Sequence, residues 1–116
     1  MSNEFLDYVE DILDAMVKAN LLLEGVSYEK FASDFRINFA VVRALEIVGE
    51  ATKRLPPEVR EQYPEIPWRG MAGMRDPIIH GYDTVDMQIV WDVVNRDIPE
   101  IQPQIQQILF DYSGTQ

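Results

Sequence analysis

Residues 35–54 read FRINFAVVRALEIVGEATKR, and the reading of this stretch decides the fold. Ile37, Val41, Ala44, Leu45, Val48 and Ala51 recur at spacings of three and four, while Phe39, Ala40, Val42 and Ile47 occupy the remaining sides. That pattern predicts a helix from about Phe35 to Arg54 that is apolar around most of its circumference and therefore central. Its charges fall in one line, Arg43, Glu46, Glu50 and Lys53. Such a line is first of all a solvated stripe of neighbouring ion pairs, each worth tenths of a kcal/mol; a second reading makes it the lining of a cleft. Pro56 and Pro57 supply a firm stop, because proline removes a helical donor and crowds the preceding turn.

The same periodicity extends in both directions. Phe5, Val9, Ile12 and Met16, flanked by Leu6, Leu13 and Val17, predict a long amphipathic first helix ending near Gly25. Ser27 reads as the cap of a short helix carrying Tyr28 and Phe31. Beyond the prolines, a short piece at about Glu58–Tyr63 leads to a helix from Trp68 to His80, with Gly81 at the expected left-handed C-terminal position. Asp83 is the expected cap of the next helix, in which Val85, Ile89, Val90, Val93 and Val94 face inward. Pro99 and Pro103 punctuate a last helix with Ile101, Ile105, Ile108 and Leu109, and the tail Ser-Gly-Thr-Gln is expected to fray. With no alternating strand pattern, the expectation is an all-α protein, an antiparallel bundle of about five helices forming one domain over residues 1–116.

Composition narrows the function. The chain has no cysteine, which excludes thiol nucleophiles, disulfides and zinc-thiolate sites. Its N-terminus is acidic where a secretory leader would be basic, and no apolar run approaches membrane-spanning length, so the expected location is the cytoplasm. The net charge of −10 argues against a surface that coats long nucleic acid. The charge is uneven, however. Residues 1–34 carry eight acids against Lys18 and Lys30, whereas residues 53–75 carry five bases (Lys53, Arg54, Arg60, Arg69, Arg75) against Glu58, Glu61 and Glu65. A local basic cleft in an acidic body fits this distribution.

His80 is the single histidine, so imidazole chemistry within one chain must use it. At the end of a helix it meets the negative pole of the macrodipole, which favours the imidazolium. Arg75 lies five residues earlier and Tyr82 two residues later, with Pro77 between them to kink the helix and bring the two cations to one side. A guanidinium to hold phosphate, an imidazole to move a proton and a phenol form a set suited to phosphodiester cleavage. A lone histidine before Gly-Tyr is equally an ordinary helix end, and spacing alone does not choose between the two. Glu46 and Glu50 lie one helical turn apart, too common an arrangement to specify a divalent metal. Trp68 and Trp91 read as core or interface anchors, and Arg69 as an exposed base near the motif.

The segment Arg75-Asp76-Pro77-Ile78-Ile79-His80-Gly81-Tyr82 resembles the R-x4-H-x-Y signature of the HepT-like HEPN ribonucleases. The likeness extends to Ala44–Ala51 as the family's central helix, to Ile66–Arg75 as the approach to the motif, and to Val85–Glu100 after it, covering about residues 4–110. It implies a helical bundle that dimerises around a shared cleft and cleaves RNA, not DNA, without a metal or other cofactor. Arg75, His80 and Tyr82 would be the catalytic residues, with Asp76, Arg69, Glu46 and Glu50 as supporting or RNA-binding positions. It further implies a toxin–antitoxin pair in which a minimal nucleotidyltransferase silences the nuclease by adding AMP to Tyr82. Asp76 and Pro77 depart from the usual pattern; an acid after the arginine repels phosphate more than an amide does. A competing account, favoured by the acidic charge, is a non-catalytic dimeric module that engages the nucleotidyltransferase. A lesser one is a subunit presenting a small substrate to it. The apolar excess of the central helix, with Trp68 and Trp91, also points to a homodimer.

Overall fold

Helix α1 (Phe5–Leu23) opens the bundle in a computed structural model that describes residues 3–75 and 86–113, Arg75 by its backbone alone. Phe5, Val9, Ile12, Met16, Ala19 and Leu23 form its buried stripe at spacings of four and three. The helix ends as expected: Gly25 takes a left-handed φ of 73°, and the Val26 amide donates to the Leu23 carbonyl at 3.0 Å.

Two caps set the next turn of the chain. The Ser27 hydroxyl accepts from the Lys30 amide at 3.1 Å and starts α2 (Tyr28–Ser33). Asp34 accepts from the Arg36 amide at 3.0 Å and starts α3 (Phe35–Lys53). Hydrogen bonds from Arg36 first, then Lys30, hold the Asp34 carboxyl below its ordinary pKa. Asn38, 4% exposed, donates its amide to the carbonyls of Phe31 at 3.0 Å and Ala32 at 3.3 Å. A buried polar side chain thus satisfies two carbonyls at the end of α2 and locks it to α3.

The expectation of a central α3 holds. It lies along α1 and also packs on α2 and on the elements that follow. Val41, Ala44, Leu45, Val48 and Ala51 are buried, and the Thr52 hydroxyl bonds back to the Val48 carbonyl at 2.7 Å. Its first two turns are different: Phe35 and Phe39 stand 67% and 71% exposed, in edge contact at 6.1 Å.

After Arg54 the chain forms α4 (Pro57–Gln62), with Pro57 in the first turn where its missing N–H costs nothing. Helix α5 (Trp68–Ala72) follows and tightens into a 3-10 turn, Gly73–Arg75. The expected continuous helix from Trp68 to His80 is therefore α-helical only to Ala72 among the described residues. Gly81, Asp83 and Val85 lie outside them.

The C-terminal part corrects four expectations. The cap of α6 (Met87–Asp92) is Asp86, whose carboxylate accepts from the amides of Gln88 at 3.1 Å and Ile89 at 3.2 Å. Ile89 does not face inward; it is 45% exposed, whereas Val90 and Val94 are buried. Pro99 does not separate two helices either. The chain runs from α6 through a π turn, Val93–Asp97, directly into α7 (Ile98–Ser113). The Ile98 amide reaches back five residues to the Val93 carbonyl. In α register the Pro99 ring would strike the carbonyl four residues earlier, and the widened turn makes room for it. Pro103 sits inside α7, and Ser113, assigned to the tail by sequence, is still helical.

The packing is antiparallel where the ends meet. The Asn20 amide donates to Gln102 Oε1 at 2.7 Å, and at the other end Phe5 meets Tyr112 edge-on at 5.0 Å. Tyr63 donates to Asp111 Oδ2 at 2.8 Å and Tyr112 to Gln62 Oε1 at 2.7 Å, clasping α4 to the end of α7. Burial, followed by that bond to Asp111, raises the Tyr63 phenol above its ordinary pKa. Trp91 packs against Tyr28 and Phe31, so both tryptophans are anchors as expected. Every α-helix contributes to one core, and the described residues contain no strand.

Candidate active site

The approach to the motif is built as a strut. Trp68 Nε1 donates to the carbonyls of Arg60 at 3.1 Å and Tyr63 at 3.0 Å, fixing the start of α5 to the end of α4. Met71 and Met74 are buried three residues apart, and the Gly73 amide bonds to the carbonyls of Arg69 and Met71 as the helix tightens. The 3-10 turn packs on α3, so the Arg75 backbone is carried on the central helix. Asp76, His80 and Tyr82 lie outside the described residues, as does the Arg75 side chain. The chain returns at the Asp86 cap, and Trp91 pins α6 to α2. Both flanks of the motif are thus tied to the core.

Of the supporting residues that are described, Glu46 and Glu50 lie one turn apart on α3 and Arg69 lies on α5. Arg43 pairs with Glu46 at 3.3 Å, the near-neighbour bridge expected of a solvated stripe. With Arg43 from α3, Arg54 just after it, and Tyr8 and Asp11 from α1, Glu50 lines a groove of about 290 Å3 within one chain. Two acids and two bases balance there, so the groove offers no net field to a phosphate. Arg69 is exposed on α5, with no ion pair among the described residues.

One feature went unseen in the sequence. A cavity of about 360 Å3 opens between α5, the 3-10 turn and the α6–α7 helix, lined by Gly70, Met71, Met74, Ile89, Asp97 and Glu100 among others. The only local signal was the pair of glycines, Gly70 and Gly73, on the strut. Its opposite wall lies fifteen or more residues away in the chain, beyond the motif.

An all-helical bundle in which two anchored flanks present an Arg-x4-His-x-Tyr segment is a HEPN-like fold. Residues 7–108 match the family described as "Ribonuclease HepT-like", and the chain belongs to that family. It is 41% identical to "Probable ribonuclease HepT" of Thermococcus cleftensis over 108 residues, covering 93% of this chain and 98% of the relative. It is 40% identical to "Putative RNase MJ1216" of Methanocaldococcus jannaschii, covering 96% and 86%. A third relative, "Putative RNase TTE0752" of Caldanaerobacter subterraneus subsp. tengcongensis, is 42% identical, with 88% and 91% covered. No solved structure matches the chain.

Proposed function

We propose that this chain is a metal-independent RNA endonuclease whose active centre is Arg75, His80 and Tyr82. The observation that carries the reading is the family match across residues 7–108, which spans the motif and both of its anchored flanks. The attacking group is the substrate's own 2′-hydroxyl. His80 takes its proton as the oxygen bonds to phosphorus, and the 5′-oxygen of the next nucleotide leaves and is protonated. A 2′,3′-cyclic phosphate and a free 5′-hydroxyl result. Arg75 neutralises the charge that builds on the phosphoryl oxygens, and Tyr82 positions the phosphate.

One imidazole per chain supplies only one proton-transferring group, and a second copy provides another. We assign the homodimer contact to the exposed Phe35–Phe39 end of α3, an apolar surface on a chain of otherwise acidic character. One HEPN-like domain, residues 1–116, acts in the cytoplasm as the toxin of a pair. Its partner is a minimal nucleotidyltransferase that transfers AMP from ATP to the Tyr82 oxygen, releasing pyrophosphate. The added phosphate competes for the guanidinium that RNA needs, which inhibits without a change of fold. Among the described residues no helix is long and apolar enough to cross a membrane.

Purified protein incubated with RNA in EDTA tests the reading. Cleavage with cyclic-phosphate ends supports it, and cleavage abolished by chelation contradicts it. The net charge of −10 favours a second reading, a non-catalytic dimer that serves only to engage the nucleotidyltransferase. That reading requires intact RNA in the same assay.

A further inference from the structure

We infer that the cavity beside Arg75 is a nucleobase subsite selecting bases that present an amino group; this rests on the ribonuclease reading above. The cavity holds about 360 Å3, within the range of about 300–1,000 Å3 usual for small-molecule sites. Its floor is apolar and polarisable, with Met71 and Met74 buried directly beneath it and Ile89 exposed at the side. Thioethers pack well against aromatic rings, so a flat heterocycle is the natural occupant.

The polar groups decide which heterocycle. Asp97 and Glu100 line the other wall, and neither carboxylate has an ion pair or side-chain hydrogen bond among the described residues. Carboxylates only accept hydrogen bonds and repel phosphate. An uncharged base therefore enters while the sugar–phosphate backbone stays outside. Cytosine N4, adenine N6 and the guanine N1–N2 edge donate to such acceptors; the corresponding uracil positions are mostly oxygens. Met74 immediately precedes Arg75 in the chain, so the cavity adjoins the backbone that carries Arg75.

Gly70 provides a clean perturbation. A Cβ built there meets no heavy atom within 4 Å, and the residue is helical, so a larger side chain grows into the open cavity without strain. The test uses the full-length protein labelled at its methionine methyls and titrated with each of four ribonucleosides, which carry no phosphate and need no cleavage to report. Cytidine, adenosine and guanosine should shift the Met71 and Met74 signals but not that of Met16, buried in α1. Uridine should bind at least tenfold more weakly. Gly70→Leu should remove the shifts with helix content unchanged, and Asp97→Asn with Glu100→Gln should weaken cytidine binding about tenfold. Equal response to uridine, no response to any nucleoside (as expected if the groove seats a protein segment instead), or full binding by Gly70→Leu would each overturn the inference. If cytidine moves the methyls and RNA is not cut, the subsite stands and the nuclease reading falls.

Discussion

Replacing Trp68 by Phe removes one N–H from the strut that carries Arg75 and keeps most of the ring that fills the core. In the native chain that N–H is shared between the carbonyls of Arg60 at 3.1 Å and Tyr63 at 3.0 Å. Leaving a buried polar group wholly unpaired costs about 1–3 kcal/mol. Here neither carbonyl is orphaned: the Tyr63 amide still donates to Arg60 at 3.2 Å, and the Ile66 amide to Tyr63 at 3.1 Å. The loss therefore falls at the lower end, about 1 kcal/mol. A chain of 116 residues has an unfolding entropy that converts this to a Tm drop of about 4 °C. The larger effect is on geometry. With α5 no longer tied to α4, the 3-10 turn that presents Arg75 shifts, and a displacement of about 1 Å at a positioning group typically costs about a hundredfold in rate. Thermal unfolding followed by circular dichroism, with RNA cleavage measured far below the midpoint, gives both numbers. An unchanged Tm would show that the bifurcated bond holds nothing. A lowered Tm with full cleavage would show that the strut stabilises the bundle without positioning the motif.

Asn38→Ala should cost about 2 kcal/mol by equilibrium denaturation, since two carbonyls at the end of α2 lose their donor; a loss below about 0.5 kcal/mol would refute that role. Because the folded state raises the Tyr63 pKa, unfolded chain loses this proton first, so its contribution is present below about pH 10 and declines as pH rises above it. Denaturation at pH 8 and pH 11 should show a steeper loss in the native protein than in Tyr63→Phe; identical slopes would contradict the assignment. Phe39→Glu, at a position 71% exposed, should leave helix content nearly unchanged and convert a dimer to a monomer in sedimentation. A dimer that persists would place the contact elsewhere.

What the sequence revealed follows from the range of the interactions involved. The α1 stripe, the Ser27 cap, the Gly25 terminus and the central α3 are set by residues within a turn or two of one another, and each was legible. The C-terminal region was not. The buried face passes through Val90, Val94, Ile98, Ile101, Ile105 and Ile108 at spacings of four and three, continuing across Pro99, and Ile89 lies outside it. Pro99 looked like a break because the adjustment that accommodates it lies in the preceding turn. The cap of α6 was expected at Asp83, but the described helix begins after Asp86, an equally suitable acceptor three residues on. The Arg75–His80–Tyr82 set was legible as a spacing whose meaning came from resemblance. The cavity next to the Arg75 backbone was invisible, because its walls come from α5 with the 3-10 turn and from the α6–α7 helix, which meet only on folding.

In the proposed mechanism His80 moves the proton during RNA cleavage. The direct measurement compares native protein and His80→Ala on the same RNA, in EDTA, with fold and oligomeric state checked by circular dichroism and sedimentation. The cleavage rate should fall about a hundredfold or more, with helix content, Tm and oligomeric state nearly unchanged. Cleavage at the native rate by the variant, or loss of activity only because the variant has unfolded, would contradict it.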